Sequence, residues 1–297
     1  MTAFSMKWTV KTEEAGILVR QYLLEEKSLS RSVLTDIKFK GGSIRVNGED
    51  RNVRTVLQEG DHVQITFPHE EVSESMIPLK IPLRIVYEDE HFLLVNKPPY
   101  LPTIPSRHSE GSLAQGVLFY YQSLNLNRTI HTVNRLDRDT SGLVMFAKHR
   151  FAHDLLSRQQ QNKQMKREYL AIVHGNVEEK EGEVDAPIGR KEGSIIERTV
   201  RPDGQYALTR YRMVQMLEDA TLLDLSLQTG RTHQIRVHMA SIGHPLLGDD
   251  LYGGRKDVIT RQALHSAKLE FYHPFLEKTL RFEAELEHDM KTLIQTT

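Results

Sequence analysis

The chain opens with hydrophobic residues at helical spacing and then changes to the alternation that is typical of strands. A first helix is predicted over 18–25, where hydrophobic positions recur on one face. A second helix is predicted to follow Ser30, a residue type that caps helix starts, and to end at Gly41-Gly42. Alternating residues over 62–67 predict a strand. These elements predict a small α+β unit over 11–68.

The pattern beyond this unit predicts a linker and a larger domain. Residues 69–80 are polar, acidic and without periodicity, which is typical of a linker. A domain over 81–292 contains predicted helices over 113–124 and 151–161. Its predicted strands cover 85–87, 92–95, 142–147, 169–173, 207–214, 220–227, 268–272 and 279–284. Strands and helices do not alternate regularly, so the pattern favours an α+β fold on a mixed, largely antiparallel sheet.

Composition narrows the class of protein. The chain has 297 residues, a formal net charge of −1 and no cysteine. Disulfides, thiolate zinc sites and iron–sulfur clusters are therefore excluded. No apolar stretch approaches the roughly 20 residues of a membrane helix, and the start lacks a secretory signal, so we expect a cytoplasmic protein. The net charge counts against a generally basic nucleic-acid coat, but it permits a local basic patch.

The first candidate site is a charged turn that leads directly into an apolar strand. Asp137 stands between Arg135 and Arg138, and the apolar run 143–147 follows. A carboxylate flanked by arginines stays ionised when partly buried, and it can then act as a nucleophile or a base. The alternative is a solvated turn with surface ion pairs, which is the commoner fate of such turns.

A second candidate site follows the predicted strand 220–227. Arg231, His233, Arg236 and His238 crowd one short region, and this density of donors suits phosphate oxygens. Metal binding is the rival interpretation. The two histidines are five residues apart, which is not the spacing that places two ligands on one helix face. A polar helix start with solvated histidines is the third alternative.

A third candidate precedes the predicted strand 169–173. Lys166 and its basic neighbours lead into Tyr169, the first residue of that strand. A tyrosine in this place can stack on a base, although a core tyrosine with its hydroxyl at the surface is the commoner arrangement.

Ordered motifs carry a resemblance to a known family. Residues 135–143 match the pattern R-L-D-x-x-T-S-G-L, and residues 229–238 match T-G-R-T-H-Q-I-R-x-H. Residues 169–175 are similar to the family's tyrosine strand, and 261–266 resemble its C-terminal element. These motifs occur in the family's order, so the larger domain resembles the RluA-type RNA pseudouridine synthases.

The resemblance implies a pseudouridine synthase fold and roles for the site residues. Asp137 would be catalytic on a flipped-out uridine, either at the sugar C1′ or by removing a sugar proton. Arg236 would hold Asp137 ionised, Tyr169 would stack on the uracil, and Arg135 would fill the vacated space. The isomerisation needs no cofactor and no metal. RNA would be bound by Arg135, Arg138, Lys166, Arg231 and His233.

The N-terminal unit resembles an S4 RNA-binding domain. Residues 29–32, 42–48 and 60–61 carry this likeness, which implies that Arg31 and Lys38 meet phosphates. A unit that only packs is the alternative. The combination implies large-subunit ribosomal RNA as the substrate and leaves transfer RNA open. We expect a monomer.

Two departures from the family's pattern keep a rival function open. Asn134 stands where many members carry histidine, and the run 97–105 departs from the usual sequence after the Lys-Pro pair. A non-catalytic RNA-binding or ribosome-assembly factor would tolerate such changes. A methyltransferase is disfavoured, because no glycine-rich nucleotide motif follows an early strand.

Overall fold

The N-terminal unit is a four-stranded antiparallel sheet with helices against it. A computed structural model of the chain describes residues 4–70, 76–106, 110–126 and 128–295. Helix α1 (Val19–Gln21) continues as a π-helical turn, Tyr22–Glu26, and α2 spans Arg31–Phe39. The strands are β1 (Ser5–Thr9), β2 (Ser43–Val46), β3 (Glu49–Asp50) and β4 (His62–Thr66), in the order β1-β4-β2-β3.

Helix α2 begins where the capping pattern predicts. The Ser30 hydroxyl accepts a hydrogen bond from the Val33 amide at 3.3 Å, which satisfies one free donor of the first turn. Strand β1 was not predicted, and it begins before Lys11, the expected start of the unit. Its apolar residues Met6 and Trp8 alternate with polar ones as in a strand, but the run is only five residues long and none of its side chains is fully buried.

The larger domain is built on one ten-stranded sheet. The strands are β5 (Ile85–Glu88), β6 (Phe92–Lys97), β7 (His131–Thr132), β8 (Ser141–Ala147), β9 (Lys166–His174), β10 (Glu181–Asp185), β13 (Leu208–Met216), β14 (Ala220–Leu227), β15 (Leu264–His273) and β16 (Lys278–Glu283). Their central order is β10-β13-β14-β9-β15-β8-β6-β5, while β16 pairs with β15 and β7 pairs with β8. Only β15 and β8 pair in parallel among the described strands, which confirms the predicted largely antiparallel sheet. A separate hairpin is formed by β11 (Ile188–Arg190) and β12 (Arg198–Val200).

Helices cover both faces of this sheet. The helices are α3 (Leu113–Ser123), α4 (Arg150–Gln161), α5 (Gln234–Ser241) and α6 (His288–Gln295). In β6, Leu93 and Val95 join the core that contains residues of α3 and α5, while Phe92 and Leu94 join the core beneath α4. Central strands are therefore apolar on both sides, as in sheets that are buried on both faces. No helix among the described residues is both long enough and apolar enough to cross a membrane.

The N-terminal unit packs directly on the larger domain. The rings of Phe67 and Phe151 stack with their centroids 5.7 Å apart, and Arg150 pairs with the buried Asp36 of α2. These contacts join the small sheet to the start of α4. Part of the predicted linker, residues 71–75, lies outside the described residues.

A buried histidine makes stability depend on pH. His265 lies in β15 with its side chain fully buried, and its Nδ1 is 2.9 Å from the Ser141 hydroxyl. Burial lowers the pKa of His265 to about 4. Between that value and about 6.5 the unfolded chain binds a proton that the folded chain does not, so stability falls as pH falls through this window. We expect this residue to contribute about 3 kcal/mol to that loss.

Urea unfolding between pH 4 and 7.5 measures this contribution. The variant His265→Asn is expected to show a flatter fall in unfolding free energy than wild type over the acidic part of the range. His62→Asn, at an exposed position of β4, serves as the control and is expected to keep the wild-type slope. Parallel pH profiles for wild type and His265→Asn would contradict the assignment.

Candidate active site

The turn that carries Asp137 is fastened to strand β8. The buried Asn134 amide donates to the Leu143 carbonyl at 3.1 Å and accepts from the Met145 amide at 2.8 Å. These bonds hold the segment before Asp137 against the strand that follows it. At position 134, where the sequence departs from the family's histidine, the side chain therefore has a structural contact inside the protein.

A fully buried lysine joins the Asp137 turn to the loop after β6. Lys97 Nζ donates to the carbonyl oxygens of Pro98, Leu101 and Arg138 at 2.8–2.9 Å. Burial lowers the pKa of Lys97 to about 7. Three carbonyl acceptors match the three donors of an ammonium group, and one of them belongs to the residue directly after Asp137.

The first turns of α5 bring Arg236 against Asp137. Arg236 Nη1 donates to Asp137 Oδ2 at 3.1 Å, which is the pairing predicted from the sequence. Its Nε and Nη2 donate to both carboxylate oxygens of the buried Asp249 at 2.7 Å. The Tyr252 ring lies 4.9 Å from the guanidinium. Burial opposes the charge of Arg236, but the hydrogen bonds and charge of Asp249, together with Asp137, raise its pKa above the usual value.

His233 completes the surroundings of Asp137. It precedes α5 in a left-handed backbone conformation, with φ of 58°. Its Nδ1 lies 2.8 Å from the Tyr252 hydroxyl, and its Nε2 is 3.8 Å from Asp137 Oδ2. Burial lowers the pKa of His233 in spite of the nearby Asp137 carboxylate, so the imidazole is neutral at pH 7.

The ring nitrogens of the buried His238 are both bonded within the protein. Their partners are the Thr209 hydroxyl at 2.9 Å and the Ala186 carbonyl at 2.9 Å. The structure therefore gives no support to His238 as a metal ligand.

Asp137, His233 and Arg236 line a cleft of about 610 Å³. Tyr169 of β9 forms part of its wall, and burial raises the pKa of the Tyr169 hydroxyl. Arg135 is exposed at this cleft, and Arg138 forms an ion pair with Asp139 at 2.8 Å. Of the residues predicted from the sequence, the cleft brings together Arg135, Asp137, Arg138, Tyr169, Arg231, His233 and Arg236.

Three predicted RNA-binding residues lie away from the cleft lining. Lys166 points from the opposite face of β9 and pairs with Glu270 at 2.7 Å. Arg31 and Lys38 lie exposed on α2 of the N-terminal unit.

Sequence reasoning missed three residues of the site. Asp249 and Tyr252 come from the segment after α5, which was not among the candidate sites. Arg167 lines the cleft beside Tyr169. Strand alternation carried a signal for Arg167, because residues two apart in a strand share a face and Tyr169 was already placed on it.

Comparison with known proteins defines the class. A sequence model of the family described as RNA pseudouridylate synthase matches residues 91–241, which include the Asp137 turn, Tyr169 and Arg236. The chain therefore belongs to this family, and the protein is an RNA pseudouridine synthase, an isomerase.

Relatives span most of the chain. It is 53% identical to the Bacillus subtilis protein named uncharacterized RNA pseudouridine synthase YjbO, over 91% of this chain and 96% of that protein. It is 40% identical to the ribosomal large subunit pseudouridine synthase D of Nitrosomonas europaea, over 80% of this chain and 71% of that protein. The structure of human RNA pseudouridylate synthase domain containing 4 matches the fold with a TM-score of 0.60 at 21% identity, covering 71% of this chain and 91% of that one.

Proposed function

We propose that this enzyme converts uridine to pseudouridine in large-subunit ribosomal RNA, with Asp137 acting on the nucleotide. The observation that carries the catalytic assignment is the contact between Asp137 and the buried Arg236, at 3.1 Å in the cleft. The two hydrogen bonds to Asp249 hold the guanidinium in place, so its Nη1 is directed at Asp137 Oδ2. The name of the Nitrosomonas relative supports ribosomal RNA as the substrate.

The reaction exchanges one glycosidic bond for another. The bond from C1′ to N1 breaks, the uracil turns over, and a bond from C1′ to C5 forms. The C5 proton is lost and N1 gains one, so atoms and electrons balance without an oxidant or reductant. A uridine in folded RNA reaches this chemistry only after flipping out of its stack, and a cleft of about 610 Å³ accommodates one nucleotide. Asp137 acts at the sugar of that nucleotide.

The other cleft residues bind and position the RNA in this proposal. Tyr169 stacks on the flipped uracil, because its ring forms a buried wall of the cleft. Arg135 occupies the space that the uridine leaves, since it is exposed and has no ion-pair partner in the described part of the chain. Arg138, Arg231 and the neutral His233 contact the backbone on either side.

The N-terminal unit extends the RNA surface beyond the cleft. We propose that it is an S4-like module in which Arg31 and Lys38 meet phosphates from the exposed face of α2. Lys166 would contribute long-range attraction only, since it is paired with Glu270 outside the cleft. Ribosomal RNA as substrate supports a cytoplasmic location, and the expected monomer stays a prediction.

Mapping pseudouridine in cells tests the proposal. Total RNA from cells with and without the gene is treated with carbodiimide and read by primer extension. A site in large-subunit RNA is expected to vanish in the deletion strain and to return with the wild-type gene. It is expected to stay absent when the Asp137→Ala gene is supplied at equal protein abundance.

Each other outcome changes a different part of the proposal. A site lost from transfer RNA instead would replace the substrate and keep the chemistry. Rescue by Asp137→Ala would contradict the role of Asp137. An unchanged map of both RNA classes would favour the non-catalytic RNA-binding function.

A further inference from the structure

Arg167 is a buried arginine of the cleft that differs from two other buried arginines of the protein in its ion pairing. Arg236 and Arg261 are at most 7% exposed, and each is held by a bidentate carboxylate, Asp249 and Asp289 respectively. Arg167 is 8% exposed, yet no carboxylate among the described residues lies within ion-pairing distance of it. We propose that Arg167 binds a phosphodiester oxygen of the flipped nucleotide, an inference that rests on the proposed function.

The protein contacts of Arg167 are few and neutral. Its Nη2 donates to the Thr229 carbonyl at a long 3.4 Å, and its buried Nε has no partner in the described structure. When the Gln160 amide donates to the Val133 carbonyl, its oxygen lies 3.3 Å from Nη1. These acceptors position the guanidinium without neutralising it. A buried charge left in this state is unfavourable until an anion reaches it.

The position of Arg167 selects a phosphate as that anion. Arg167 and Tyr169 are two residues apart in β9 and both line the cleft. Their side chains therefore project from one face of the strand, with Cα atoms about 6.6 Å apart. A nucleotide whose base stacks on Tyr169 therefore brings its backbone toward Arg167. The planar guanidinium presents paired donors that match two oxygens of a phosphate, whereas a uracil carbonyl offers one oxygen and no charge.

Gly230 leaves the space that this guanidinium occupies. A methyl group at Gly230 would lie 2.9 Å from Arg167 Nη1, so alanine there would displace the guanidinium while keeping its charge. The backbone of Gly230 is not in the left-handed region, so the substitution introduces no strain of that kind. Gly230→Ala therefore tests the position of the Arg167 guanidinium, whereas a substitution of Arg167 itself removes the charge.

Binding to a large-subunit ribosomal RNA transcript tests the proposal. Filter binding in 50–200 mM KCl gives the dependence of log Kobs on log salt concentration. Arg167→Gln is expected to weaken binding about tenfold and to reduce the slope by about 0.7–0.9, the value of one phosphate contact. Arg212→Gln removes an exposed arginine of β13 and is expected to match wild type.

Two further readouts distinguish a ligand-binding arginine from a structural one. The free Arg167→Gln protein is expected to melt no lower than wild type, because the substitution removes an uncompensated buried charge. Gly230→Ala is expected to weaken binding, but to add little in the Arg167→Gln background because both variants disturb one contact. A lower melting temperature with an unchanged salt slope, or additive losses in the double variant, would overturn the proposal.

The same transcript separates this inference from the proposed function. Release of tritium from uridine labelled at C5 reports conversion by the wild-type enzyme. If the wild-type enzyme converts the transcript and Arg167→Gln keeps the wild-type salt slope, the phosphate contact is contradicted and the proposed function stands. If Arg167→Gln has a smaller salt slope but the wild-type enzyme does not convert large-subunit RNA, the proposed substrate is contradicted and the phosphate contact is supported.

Discussion

Replacing Asp137 by asparagine is expected to lower the rate of pseudouridine formation by about 10⁴-fold or more. Asparagine keeps the shape of the side chain but can neither attack the sugar nor take a proton from it. Arg236 retains both bonds to Asp249, so its charge stays compensated and the fold is expected to persist. Tritium release from RNA labelled at uridine C5 measures the rate, and circular dichroism checks the fold.

Asp139 provides the matched control for this experiment. It lies two residues beyond Asp137, pairs with Arg138 at 2.8 Å and is absent from the cleft lining. Asp139→Asn is expected to keep the turnover rate within about threefold of wild type. Retention of more than a few per cent of the rate by Asp137→Asn would show that Asp137 is not the catalytic carboxylate.

Replacing Asp249 by alanine is expected to lower both stability and activity. Asp249 is 1% exposed and accepts two hydrogen bonds from Arg236. In Asp249→Ala the guanidinium keeps a single carboxylate, the partly exposed Asp137, and loses its fixed orientation. Breaking such a buried pair typically lowers the free energy of unfolding by about 3–5 kcal/mol. Urea unfolding measures this loss, and the rate of RNA conversion is expected to fall by about 10²-fold or more at a temperature where the variant is folded.

The neighbouring Asp250 provides a control, because its substitution removes a carboxylate that is exposed and not buried. Asp250 forms an exposed ion pair with Lys256 at 2.6 Å, and such pairs contribute less than about 1 kcal/mol. Asp250→Ala is therefore expected to resemble wild type in both stability and activity. Equal losses at Asp249 and Asp250 would contradict the role of the buried pair.

The elements that the sequence predicted are those with a clear local signal. Helix α2 has both a serine cap and an apolar face, and β14 was predicted with its observed bounds, Ala220–Leu227. Strand β1 and helix α6 were missed. Met290 is the only buried residue of α6, and no side chain of β1 is fully buried, so both elements depend on pairing or packing with distant parts of the chain.

The same division holds at the site. The local motifs identified Asp137, Tyr169 and Arg236 as candidates, and the comparisons support the family that these motifs indicated. For the third charged stretch, Lys166 was chosen, although strand alternation places Arg167 on the face that carries Tyr169.

The sequence by itself determined the class of enzyme, the helices and strands with strong periodicity, and the short motifs that carry the catalytic candidates. Only the tertiary structure decided which of these charges are compensated. Arg236 meets Asp137 across 99 residues of chain, and Arg167 has no carboxylate partner among the described residues. The physical reason is that burial and ion pairing depend on distances between side chains from different elements, which local patterns do not contain.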